Sequence, residues 1–222
     1  MIECMKNGIV VFDFDGTLTC QQNSMTMWSL IWKKIGKLHM GNSLYTQFQN
    51  GFISRTEWFR ETEKEFSGLV TRGLLQSVAS DISLRRGAVE LFENLTGHSY
   101  KLYILSGGIG TIIRDILASN ISFFEDVSAN DIIFDKNGDM VHIRMTSFDY
   151  GGKATYIRNL VRHTQVPYNS VYYIGNSVND LSVLSLPIKT ICISPIGLSP
   201  EQISRWSYEC NDLSSVAQLI LE

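Results

Sequence analysis

At 222 residues, with 44% hydrophobic and 18% charged side chains, the sequence reads as an ordinary soluble globular protein, long enough for a large core plus an insertion. Its formal charge of −3 argues against a nucleic-acid-binding surface, and no apolar run approaches the roughly 20 residues that span a bilayer. Cys4, Cys20, Cys192 and Cys210 follow neither metal-ligand nor disulfide-framework spacing, and Met1 to Gly8 is too short and polar for a secretory signal, so reduced thiols in the cytoplasm are expected.

Ile9 to Phe12 is an apolar run without polar alternation, which predicts a strand buried on both faces. It delivers Asp13 and Asp15 and then a Gly16-Thr17 turn. In an extended chain residues i and i+2 point the same way, so both carboxylates can face one crevice at the strand's carboxyl end. Open α/β sheets place their ligands there. Two anions this close need a cation or a proton between them. An Asp-x-Asp pair by itself is also an ordinary solvated strand end; the full DFDGT run after an apolar strand is far more specific.

From Cys20 to about Leu84 strand-like runs disappear. Trp28, Ile31, Trp32 and Ile35 recur at helical intervals, as do Trp58, Phe59 and the residues Glu61 to Phe66. Ser54 with Glu57 forms a capping-box signature. This stretch predicts an all-helical insertion whose tryptophans build its own core, although a flat substrate group fits them too.

From Arg85 helix and strand alternate. Helices are predicted from Gly87 to Leu95, Thr111 to Ala118, Gly152 to Arg162 and Leu213 to Leu221. Strands are predicted at Lys101–Leu105, Asp131–Phe134, Met140–Arg144, Val171–Ile174 and Ile188–Ser194. Asn137-Gly138 signals a hairpin between the second and third of these. The alternation implies a doubly wound, Rossmann-like, mostly parallel sheet, giving an α/β fold with the small helical domain inserted after its first strand.

Several strand ends share one chemical theme. Ser106 and Gly107, beside a helix start, offer a hydroxyl and backbone N–H groups that can cradle an anion. Lys153 opens a helix, where a cation sits unfavourably against the dipole unless it serves a phosphate. Asn176, Asn179 and Asp180 supply oxygens for a hard cation. Each feature alone has a structural explanation; together they describe a magnesium-assisted phosphoryl-transfer site.

On DFDGT (Asp13 to Thr17), ILSGG (ending at Gly108), Lys153 and GNSVND (Gly175 to Asp180), in that order, the chain resembles the haloacid dehalogenase superfamily of phosphatases. The helical insert and the ANDIIFDKNGD hairpin look like its phosphoserine-phosphatase-like branch. That resemblance implies a catalytic core of residues 1–19 and 85–222 and a cap of residues 20–84. It implies Asp13 as nucleophile, Asp15 as general acid and base, and Ser106, Gly107 and Lys153 as phosphate binders. It also implies Mg²⁺ held by Asp13, the Asp15 carbonyl, Asn176 and Asp180.

The chain departs from that pattern at three places. Asn176 stands where the family has an acidic residue. Gln22 stands where phosphoserine-specific members carry a cap glutamate, and their carboxylate-binding cap arginine falls near Thr62, with Arg60 close by. SGGIGTIIRDIL also resembles the matching part of pyrimidine 5′-nucleotidases of the same superfamily. The expected activity is hydrolysis of a small phosphorylated metabolite by a monomer or homodimer, with no nucleic-acid or membrane partner. A 5′-nucleotidase or phosphotransferase of the same superfamily and a catalytically impaired phospho-ligand binder are the alternatives.

Overall fold

The computed structural model describes residues 8–21, 25–148 and 151–222. Its strands are β1 (Ile9–Phe12), β2 (Thr19–Gln21), β3 (Ile82–Leu84), β4 (Lys101–Ile109), β5 (Phe124–Phe134), β6 (Met140–Arg144), β7 (Val171–Ser177), β8 (Lys189–Ile196) and β9 (Tyr208–Cys210). Seven of them form one sheet in the order β6-β5-β4-β1-β7-β8-β9, parallel except for the β5–β6 hairpin. A run of only four residues, β1, is its centre. All four of its residues are sealed from solvent, with parallel partners on both sides. Val10 and Phe12 join one hydrophobic cluster, Ile9 and Val11 the other. That alternation makes the sheet doubly covered, because each strand face needs its own apolar layer.

One layer contains α5 (Ala88–Gly97), α6 (Gly110–Leu117) and α9 (Leu213–Leu221), through residues such as Leu91, Ile113 and Val216. The other is built on α7 (Gly152–Thr164) and the 3-10 segment Val178–Ser185, through Ile157 and Val183. A short α8 (Pro200–Ile203) precedes β9; neither was signalled by the sequence, since three or four residues are too few to show a period. The first strand of the hairpin starts at Phe124, well before the predicted Asp131.

Between β2 and β3 the described residues make four helices, α1 (Met27–Lys34), α2 (Leu38–Gln49), α3 (Arg55–Phe66) and α4 (Arg72–Ala79). Thr26, Ser54 and Thr71 cap three of them with side-chain oxygens, and Ser54 with Glu57 completes the predicted capping box. Trp28, Trp32, Trp58, Phe59 and Phe66 pack among themselves, as the helical spacing implied. The helices join the sheet through an antiparallel ribbon, β2 against β3, which brings the outgoing and returning chain together.

Candidate active site

The sheet's strand order reverses around β1, whose neighbours are β4 and β7, so a crevice opens beyond the carboxyl ends of these three strands. Asp13 leaves β1 with its N–H still donating to Ile174 O at 2.8 Å, which extends the ladder one residue and aims the side chain. A tight turn follows, with the Thr17 and Leu18 N–H groups both donating to Phe14 O. Gly16 sits there at φ +75°, and a Cβ on it would come within 2.4 Å of Asn176 Nδ2. Both facts require glycine. Arg85, just after β3, clamps the same turn: Nη2 donates to Gly16 O (2.6 Å), Nε to Thr17 O (3.1 Å) and Nη1 to Ser194 Oγ (3.2 Å).

Lys153 comes from the first turn of α7 and is sealed beneath Asp13. Its Nζ donates to Asp13 Oδ1 at 2.7 Å, Asp180 Oδ1 at 2.6 Å and Tyr173 Oη at 3.1 Å. Burial alone would push this ammonium's pKa down, but the two carboxylates outweigh it and hold the lysine charged. Burial lifts the Asp13 carboxyl to about 7 against the pull of Lys153, with Asp180 and Asp15 adding to the rise. Asp180 is buried too, yet Lys153, Tyr173 and the Asn176 amide hold its pKa below the usual carboxylate range.

Asp180, expected as a metal ligand, has both carboxylate oxygens engaged within the protein. Its Oδ1 accepts from Lys153 and Tyr173, and its Oδ2 from the Asn176 and Ser177 N–H groups at 2.9 and 3.0 Å. It has no exposed surface. Gly175 permits this fold-back, since a Cβ there would lie 2.7 Å from the Asp180 carboxylate. Asp180 therefore orients Lys153 and the β7 turn from below.

On the other side of β1, Ser106 Oγ accepts from the Gly108 N–H at 2.9 Å, curling the end of β4 into a turn. Gly107 O is held by Asn130 Nδ2 and by Trp28 Nε1, each at 2.8 Å. The start of α6 is tied down by Asp131, which accepts from Thr111 N (3.1 Å), Thr111 Oγ1 (2.6 Å) and Arg114 Nη1 (3.0 Å). The inserted helices close the crevice from above. Met27 N–H, at the start of α1, donates to Asp15 Oδ2 at 3.2 Å, so the positive end of that helix faces the carboxylate.

A cavity of about 330 Å³ remains between the layers. Asp13, Asp15, Ser106, Gly107 and Asn176 line its floor, and Trp28, Trp32, Tyr45 and Trp58 its roof. The structure thus gathers the predicted floor residues around one space, with Lys153 and Asp180 directly underneath. It does not bring Arg60 there: that side chain is 69% exposed and pairs with Glu61 at 3.2 Å. Trp58, Phe59, Thr62 and Phe66 take the inward face of α3 and leave Arg60 outside. Gln22 lies outside the described residues.

Among the described residues no three Asp, Glu, His or Cys side chains converge as a metal centre. The oxygen set still fits a hard cation: among the described residues Asn176 Oδ1, buried beside Asp13, has no hydrogen-bond partner, and neither has Asn179 Oδ1. Arg85, Asn130, Asp131, Tyr173 and the Trp28 indole were not read as site residues from the sequence. Each acts by a contact across a long sequence separation, which no local pattern records.

Paired strand-end carboxylates, a Ser-Gly-Gly turn and a buried lysine meet on one doubly wound sheet, and the chain's relatives make it a phosphoric monoester hydrolase. The chain belongs to the haloacid dehalogenase-like hydrolases, whose family model matches residues 10–185. It is 25% identical over 178 residues to the phosphoserine phosphatase of Lactococcus lactis subsp. lactis (strain IL1403), covering 80% of this chain and 79% of that one. It is 24% identical over 218 residues to the phosphoserine phosphatase of Drosophila melanogaster, covering 95% of this chain and 77% of the relative. A solved structure of a phospho-aspartyl intermediate analogue of phosphoserine phosphatase shares the fold, with a TM-score of 0.77 over 96% of this chain and 99% of that one at 16% identity.

Proposed function

We propose that this chain is a Mg²⁺-dependent phosphatase that hydrolyses a small phosphorylated metabolite through an aspartyl-phosphate on Asp13. The observation that carries this reading is the placement of Asp13, which lines the cavity above while Lys153 holds its Oδ1 from below. The free carboxylate oxygen attacks phosphorus, and the bond from phosphorus to the ester oxygen breaks. Asp15 donates a proton to the departing alkoxide, then accepts one from the water that attacks the aspartyl-phosphate; phosphate leaves and Asp13 is restored.

Ser106 and the Gly107 backbone bind the phosphoryl oxygens, and Lys153 balances charge as it builds on Asp13. The Asp13 carboxylate, the Asp15 carbonyl and Asn176 Oδ1 would hold Mg²⁺, which when bound supplies positive charge against the phosphoryl oxygens. Residues 20–84 serve as a cap over the core of 1–19 and 85–222, and the Met27 and Trp28 contacts set its closed position. The free thiols of Cys20, Cys192 and Cys210 suit a reducing compartment such as the cytoplasm.

The direct test is phosphate release from p-nitrophenyl phosphate with Mg²⁺ and with chelator. Turnover that depends on the metal is expected. No release at any Mg²⁺ concentration contradicts the proposal.

A further inference from the structure

Of the described side chains that line the cavity, only Asp13 and Asp15 carry a formal charge. An amino-acid phosphate ester would bring an ammonium and a carboxylate into this space. A buried charge without a partner is strongly disfavoured. The two aspartates stand at the phosphoryl end and already engage Lys153 and the Met27 amide.

What the roof offers instead is flat and neutral. Trp58 is fixed as a plane by Phe48, stacked on it at 5.0 Å and 2°. Tyr45 lies beside it, with ring centres 5.6 Å apart. The volume falls at the lower end of small-molecule pockets, roughly 300–1,000 Å³, which suits one ring system beyond the phosphate.

We infer that the alcohol half of the substrate is uncharged and carries a flat ring, the chemistry of a nucleoside 5′-monophosphate, selected by Tyr45 and Trp58. This rests on the phosphatase reading for its catalytic part only, because ring recognition is a binding property of the cavity.

The test pairs binding with turnover. Asp13→Asn protein is titrated with uridine 5′-monophosphate, glycerol phosphate and phosphoserine while tryptophan fluorescence is followed, and wild-type kcat/KM is measured for the same three. The ring-bearing ester should bind at a concentration at least about tenfold below the others, as base stacking on aromatic side chains provides. Its kcat/KM should exceed that of phosphoserine by about 10²-fold, the scale of discrimination a mismatched pocket gives. Tyr45→Leu should shrink the ratio of kcat/KM between uridine monophosphate and glycerol phosphate about tenfold. Equal or tighter binding of phosphoserine overturns the inference, as does a Tyr45→Leu enzyme with that ratio unchanged. If wild type releases no phosphate from any ester while the Asp13→Asn protein still prefers the ring, the inference stands and the phosphatase reading falls.

Discussion

Lys153 Nζ lies 2.6 Å from Asp180 Oδ1, and neither side chain has more than a trace of exposed surface. The pair underlies the whole site, because the same ammonium reaches Asp13 at 2.7 Å. Removing one member of a buried ion pair costs roughly 3–5 kcal/mol when the other is left uncompensated; here Asp13 stays beside Lys153, so the loss falls at the low end of that range. Asp180→Asn should therefore lower stability by about that amount even in chelator, and lower activity by releasing Lys153 from its position. Thermal unfolding without Mg²⁺ checks this. A variant with unchanged Tm and only a higher Mg²⁺ requirement would return Asp180 to the role of metal ligand.

Arg85 connects the returning leg of the insertion to the turn that carries the two aspartates, through Gly16 O and Thr17 O. Misplacing catalytic groups by about an ångström can cost about 10²-fold in rate. Arg85→Met keeps most of the apolar stem but none of these donors, so kcat should fall by about that factor while KM changes little. Steady-state kinetics with an aryl phosphate decide the matter. Unchanged kcat means that the turn holds itself.

Asp131 gives the fold a dependence on pH. Burial raises its pKa, but the Thr111 hydrogen bonds and Arg114 outweigh burial and hold it below the usual aspartate value. A depressed folded pKa adds stability that is complete above the unfolded value of about 3.9 and disappears as pH falls through the folded one. Asp131→Asn should cost about 1–3 kcal/mol near neutrality, since charge-assisted hydrogen bonds are lost. The deficit should narrow as the medium is acidified below pH ~4. Tm measured across acid pH for both proteins is the check; a deficit that stays constant excludes the carboxylate's charge as its cause.

Much of this was legible in the sequence because the relevant signals are local. Ile9 to Phe12 reads as a doubly buried strand from four consecutive apolar residues, and the small or polar residues at 13–17, 106–108 and 175–180 mark the carboxyl ends of β1, β4 and β7. Side-chain direction was not legible. Asp180 reads as a cation ligand from its place in the motif, while its carboxylate is turned inward to Lys153 and Tyr173, a direction that the sequence does not record. Arg60 looked close to the substrate by position, yet the inward face of α3 excludes it. The roof was only half readable: Trp28, Trp32 and Trp58 announced a helical core, but their contact with the cavity depends on how α1, α2 and α3 cross.

The central claim is that Asp13 becomes covalently phosphorylated. Wild-type protein mixed with p-nitrophenyl phosphate and Mg²⁺, quenched in acid and digested, should yield a peptide spanning Asp13 heavier by one phosphoryl group. Hydroxylamine should remove that group, as expected for an acyl phosphate, and the Asp13→Asn protein should show neither the adduct nor turnover. An Asp13→Asn enzyme that still releases phosphate at a near-wild-type rate, or an adduct that maps to another residue, contradicts the mechanism.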